Sequence, residues 1–160
     1  MLIRKTEEKD LSEIGNIYSA AKQFMKQNGN PNQWRTDYPS KRTAREDMER
    51  GIGYVCEDGG EVVAVFAFAP DREPTYDTIY DGAWQNDAPY AFIHRVAVKK
   101  HGQGIIDFCL AECYRMHPNL RIDTHRDNLP MQKVLLRSGF VRSGIIYLSN
   151  GDERIAFHKI

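Results

Sequence analysis

The chain has 160 residues, and 22 Lys and Arg balance 22 Asp and Glu, so its formal net charge is zero. That balance removes any global electrostatic argument for nucleic acid or an anionic membrane as partner. No apolar run approaches the roughly 20 residues that span a bilayer, and the N-terminus lacks a signal-peptide core, so one cytoplasmic domain over residues 1–160 is the expectation.

In chain order, residues 2–5 read as a short strand, and residues 6–10 supply capping residues for a helix with Leu11, Ile14, Ile17, Tyr18, Ala21 and Met25 on one side. Gly29, Asn30, Pro31 and Asn32 break it. Residues 40–50 form a second, mostly polar helix whose charges read as a solvated face. A hairpin follows, with strands at 53–56 and 61–69 around Glu57, Asp58, Gly59 and Gly60. Residues 70–89, rich in Asp, Pro, Tyr and Gly, are too long for a simple connection and are expected to fold over one end of a sheet. The loop aromatics Trp34, Tyr76, Tyr80 and Trp84 either line a substrate pocket or anchor their loops on the core.

Residues 90–98 are apolar and β-prone, and Lys99, Lys100, His101, Gly102, Gln103 and Gly104 follow. Ile105, Ile106, Phe108, Cys109, Leu110 and Cys113 then recur at helical spacing. Glycines let the backbone approach a ligand closely, and a helix start presents unpaired N–H groups at the positive end of the macrodipole. The segment therefore suits a phosphorylated ligand, although Gly-x-Gly before a helix is also an ordinary turn. Two nucleotide motifs are excluded: the dinucleotide fingerprint needs a third glycine where Asp107 stands, and no Gly-Lys-Ser/Thr is present.

Beyond that helix, residues 120–124 read as a strand and 131–137 as a short helix opened by Pro130 and closed by Ser138 and Gly139. Strands at 140–148 and 154–159 flank the Asn150, Gly151 hairpin signal. Cys56, Cys109 and Cys113 lack metal-ligand spacing and read as buried free thiols, with a catalytic thiol the lesser alternative. His125 and Asp127 alone are poor grounds for a metal pair.

Two segments carry a resemblance to a known family: Val96, Ala97 and Val98 leading into His101, Gly102, Gln103 and Gly104, and residues 128–140 from Asn128 to Gly139 and Phe140. They resemble the GNAT superfamily, the Gcn5-related N-acetyltransferases, over essentially the whole chain. The resemblance implies a single-domain α/β (α+β) fold with a mixed, mostly antiparallel sheet of seven strands, splayed at its centre and with helices on both faces. It implies acetyl-CoA as cofactor, with Val96, Ala97 and Val98 along the pantetheine arm, His101, Gly102, Gln103, Gly104, Ile105 and Ile106 around the pyrophosphate, and Asn128 nearby. His101 and Ile106 depart from the usual residues, the turn after Val98 is shortened, and Leu135 stands where many members carry a Tyr that protonates the departing thiolate.

The chemistry sets what else is needed. An alkylamine must lose a proton before it attacks a thioester, and the leaving thiolate needs a proton or stabilisation; no metal is demanded. His94 is the candidate base: alternation places it with Phe92 and Val96, and it matches a histidine of the aromatic-amine branch of the family. A His in an apolar strand is otherwise a hydrogen-bonded core residue. Tyr147 is the candidate acid, Asp123 is expected to end a buried strand in a hydrogen bond, and Trp34 and Trp84 are the candidate substrate contacts. The expected partner is a small-molecule or peptide amine. A non-catalytic acyl-CoA-binding module is the alternative that Leu135 sustains, transfer to a protein N-terminus or lysine would need an acidic or open groove, and a homodimer is left open.

Overall fold

The computed structural model describes all 160 residues, Met1–Ile160. Seven strands form one open sheet: β1 (Leu2–Lys5), β2 (Gly53–Asp58), β3 (Glu61–Ala69), β4 (Ala91–Val98), β5 (Leu120–Thr124), β6 (Val141–Tyr147) and β7 (Glu153–Lys159), in the order β1-β2-β3-β4-β5-β7-β6. Every neighbouring pair is antiparallel except β4 and β5. Helices α1 (Leu11–Gln27) and α2 (Lys41–Glu49) cover one face, and α3 (Ile105–Met116) and α4 (Leu129–Arg137) the other.

Each helix buries the stripe that its periodicity marks. Leu11, Ile14, Ile17, Tyr18 and Ala21 of α1 pack on Val55, Val65 and Ala97, while Ile105, Cys109, Leu110 and Cys113 of α3 pack on Phe66, Ile93 and Val98. All three thiols are buried, and burial pushes that of Cys113 up to about 12, which suits a core role rather than nucleophilic work. The polar helix α2 departs from the solvated reading at one residue. Asp47 is buried and holds Arg95 through two bonds, Nη2 to Oδ1 at 2.7 Å and Nε to Oδ2 at 3.0 Å.

The sheet opens at its centre because β4 is bulged. Val65 lies opposite Ala97 and Ala67 opposite His94, so Arg95 and Val96 together face Phe66, and Arg95 takes φ +55°. Such a bulge bends a strand and re-aims the side chains beyond it. Only Ala91, Phe92 and Ile93 pair with β5, and from His94 onward the β4 edge facing β5 has no ladder partner. The bulge also corrects the alternation expected for this strand: His94 lies beside Phe92, ring centroids 4.7 Å apart, whereas Val96 packs with the α3 and α4 core on the opposite face.

Residues 70–89 lie over the sheet face opposite α3 and α4, reaching the β6 edge, where Tyr80 bridges Ile145 and the Ala83 amide donates to the Ser143 carbonyl at 2.9 Å. Backbones meet so closely there that a Cβ on Gly82 would stand 2.0 Å from that carbonyl oxygen.

Candidate active site

A cleft of about 880 Å³ opens where β4 and β5 part, and its two ends are built differently. Toward α3 and α4 it is lined by Val96, Val98, the turn to Gly104, the start of α3, and Asn128, Met131 and Val134. The amides of residues 100–107 donate to no backbone carbonyl; the first bond of α3 is Phe108 N–H to Gly104 O, at 3.0 Å. Gly102 and Gly104 sit at φ +76° and +71°, and a Cβ on either would meet nothing within 4 Å. The glycines are therefore required by backbone conformation, and the space above them is open to a ligand. A row of free amides at a helix start, in an open concavity, fits a phosphate or pyrophosphate. Lys100 and Lys133 line this end without an ion pair, while Arg137 is held by Asp107 at 2.8 Å.

His101 lines the cleft but stacks on Phe24 of α1, ring centroids 3.6 Å apart and 11° from parallel. Burial lowers its pKa, so the imidazole brings no fixed charge, and an anion at the turn would meet main-chain amides. Asn128 serves locally as an α4 cap, its Oδ1 accepting from Met131 N–H at 3.1 Å. Its Nδ2 also donates to Gln33 Oε1 at 2.9 Å, tying α4 to the loop before α2.

The other end is built from side chains that are distant in sequence. Tyr76 is fully buried, and its hydroxyl donates to Asp123 Oδ2 at 2.6 Å. That hydroxyl lies 3.1 Å from His94 Nε2. With the single phenolic proton committed to Asp123, Nε2 must be the protonated nitrogen of His94, which leaves the lone pair on Nδ1. Burial, aided by the charges of Arg95 and Arg50, lowers the His94 pKa to about 3. Burial likewise raises that of Asp123, and burial together with the Asp123 charge keeps the Tyr76 phenol protonated. Glu73 completes the cluster, its Oε2 3.9 Å from His94 Nδ1.

Most of the residues singled out in the sequence line this one cleft: His94, Val96, Ala97, Val98, His101, Gly102, Gln103, Gly104, Ile105, Ile106, Asn128 and Trp34. Two do not. Tyr147 is 45 % exposed on β6 and meets Tyr80 edge-on, because the sheet order puts β7 between β6 and β5. Trp84 is a loop anchor: its indole N–H donates to the Tyr76 carbonyl at 2.9 Å, and the Arg121 guanidinium covers its ring at 4.2 Å. Leu135 is fully buried in the α3 and α4 core, away from the cleft. Sequence reasoning missed Tyr76 as a His94 partner, Thr124 and Arg154; Asp123 ends its strand in the hydrogen bond expected of it, and also lines the cleft. Thr124 has a buried hydroxyl with no partner. It follows Ile122 on the face covered by α3 and α4, so strand alternation from the buried Ile122 was a usable signal.

No family model and no curated protein matches the sequence. Solved structures do. An acetyltransferase of the GNAT family from Streptococcus agalactiae is 28 % identical, with a TM-score of 0.91, covering 99 % of this chain and 94 % of that one. Over its whole length the chain is similar to a GNAT-family acetyltransferase, and its fold is the GNAT fold. Two more distant structures share the GNAT fold. A ribosomal-protein-alanine N-acetyltransferase from Brucella melitensis is 19 % identical, with TM-score 0.69 and coverage of 100 % and 99 %. A NatC complex bound to Gag peptide and CoA is 13 % identical, with TM-score 0.62 and coverage of 99 % and 96 %. In this chain of GNAT fold the splayed centre of the sheet and the free amides of the turn share one cleft.

Proposed function

We propose that the protein is an acetyltransferase that uses acetyl-CoA to acetylate a primary amine by direct attack in a ternary complex. The observation that carries this reading is the run of unsatisfied amides from residue 100 to residue 107 beside the unpaired edge of β4, in a cleft deep enough for a coenzyme. The amides of residues 100–107, with Lys100 and Lys133, would hold the phosphates, and the open edge of β4 at Val96 and Val98 would pair with the pantetheine arm. Bound there, acetyl-CoA supplies an acetyl group activated as a thioester.

The remaining work falls to this chain's side chains. Asp123 and the neutral His94 offer acceptors to an incoming ammonium, which must give up a proton before its lone pair is nucleophilic. Tyr76 holds both in place, and its buried phenol prevents the cluster from adding a negative charge of its own. An imidazole with so low a pKa is a weak base, so His94 and Asp123 act together, His94 orienting and Asp123, whose pKa burial raises, receiving the proton. The Thr124 hydroxyl, buried at the cleft without a partner, would donate to the departing sulfur in place of Tyr147, which lies outside the cleft.

A thiol-release assay with acetyl-CoA across a panel of primary amines tests the proposal. Turnover that depends on both acetyl-CoA and amine supports it. Tight acetyl-CoA binding without turnover would favour the non-catalytic acyl-CoA-binding module, the reading that Leu135, in the place of a Tyr, sustains.

A further inference from the structure

The acceptor end of the cleft contains a buried cation without an ionic partner. Arg154 is only 6 % exposed, lines the cleft, and makes no ion pair. Its hydrogen bonds go to two neutral backbone carbonyls, Nη1 to that of Glu153 and Nη2 to that of Gln33, each at 2.9 Å. A guanidinium has five N–H donors in a planar fork, so three remain, the Nε–H among them. Burial of a charge on carbonyl acceptors alone is costly, and a carboxylate that fits the remaining fork would remove that cost.

The strand register fixes where this cation stands relative to the proton-handling cluster. Asp123 of β5 lies opposite Ala156 of β7, and Arg154 is two residues from Ala156 on the same sheet face. Arg154 is thus the diagonal neighbour of Asp123, a relation that spans about 7–8 Å between backbones and brings long side chains within reach of one small molecule. No carboxylate stands within ion-pair distance of Arg154. Asp123 is engaged by Tyr76, and the Asp152 carboxylate accepts from Asn150 at 3.1 Å. Arg35, on the same lining, is exposed and also makes no ion pair, so two guanidiniums flank this end of the cleft.

The geometry points to an acceptor that carries its own carboxylate one or two carbons from its amine: a free amino acid, with the amine on Asp123 and His94 and the carboxylate on Arg154. This rests on the acetyltransferase reading and narrows its substrate class. A protein N-terminus offers an amide carbonyl where the carboxylate would be, and would leave the fork of Arg154 unfilled.

The test uses L-alanine, L-methionine, L-phenylalanine and β-alanine, each beside its amide and its decarboxylated amine, in thiol release with acetyl-CoA and in calorimetric titration of the CoA-loaded protein. The expected result is a preference of about 10- to 100-fold in kcat/KM and in affinity for a carboxylate-bearing member over its matched amide and amine, the worth of a charge-assisted fork. Arg154→Gln is expected to collapse that ratio toward one, and Arg154→Lys, which keeps the cation without the fork, to restore part of it. Melting curves on both variants identify loss of folding, and the wild-type ratio stands independently of them. Equal rates for acids, amides and amines, or no binding of any carboxylate-bearing probe, would overturn the inference while leaving acetyl transfer intact. Carboxylate-selective binding without thiol release would instead support it and remove the acetyltransferase reading.

Discussion

The two ends of the cleft are built by different means. The end beneath α3 and α4 uses main chain: eight successive amides, two glycines at positive φ, and an open strand edge. The other end uses side chains: His94, Asp123 and Arg154 line it from three strands, and Tyr76, behind them, holds His94 and Asp123. A main-chain site tolerates side-chain change and suits a ligand common to a whole superfamily. A side-chain site can be rewritten residue by residue, so specificity belongs there.

The sharpest way to break this comparison is to alter the side-chain end and look for an effect at the main-chain end. Asp123→Asn or His94→Ala is expected to lower kcat about 10²- to 10⁴-fold, the usual worth of a positioned acid or base. The acetyl-CoA dissociation constant should stay close to wild type in the same titrations. A parallel loss of coenzyme affinity would show that the two ends are not separable.

Next in size is the buried pair that stabilises the bulge between them. Asp47→Ala leaves the Arg95 guanidinium, half-buried and at φ +55°, without its carboxylate. Loss of a buried partner costs about 3–5 kcal/mol, so chemical denaturation should show a drop of that order. A change below about 1 kcal/mol would mean the pair is screened as surface pairs are.

Stability should also carry the signature of two buried imidazoles. Burial lowers His94 to about 3 and His158 to about 4, against about 6.5 in the unfolded chain. Below about pH 6.5 the unfolded state takes up protons that the folded state refuses, so stability present at neutral pH is lost as pH falls toward 4. The slope is at most about 1.4 kcal/mol per pH unit for each histidine. Thermal melts between pH 7 and 4.5 check this, and a melting temperature that is flat or rises toward acid would contradict it. The smallest effect expected is that of Tyr147→Phe. An exposed residue outside the cleft should leave turnover within about twofold and stability within about 0.5 kcal/mol, as for surface substitutions generally.

What could be read from the sequence follows the same division. The glycine-turn end is local: glycines, a helix start and a preceding strand adjoin in sequence, so the turn at His101 to Gly104 was legible from its spacing, while Val96 to Val98, Ile105, Ile106 and Asn128 were named through the resemblance to the GNAT superfamily. The strand bounds of β5 and the helix order followed from periodicity for the same reason. The acceptor end is a product of tertiary structure. Nothing near Tyr76 announces that its hydroxyl meets His94 and Asp123, and nothing near Asp47 announces that it leaves the polar face of α2 to pair with Arg95. Tyr147 misled because β6 follows α4 in sequence, while the sheet order places β7 between it and the cleft. The bulge was equally invisible, since it depends on pairing register and not on composition, and it moved Val96 to the face opposite His94.

Calorimetric titration of the wild-type protein with acetyl-CoA and with acetyl-pantetheine, repeated on Gly104→Val, tests the central claim most directly. The side chain of Val would enter the open space above the turn and force a β-branched residue into the left-handed region. The account predicts measurable acetyl-CoA affinity in the wild type, a loss of at least about tenfold when the phosphates are removed with acetyl-pantetheine, and a similar loss in Gly104→Val. Absence of heat with acetyl-CoA, or equal affinities across the two ligands and the two proteins, would contradict it.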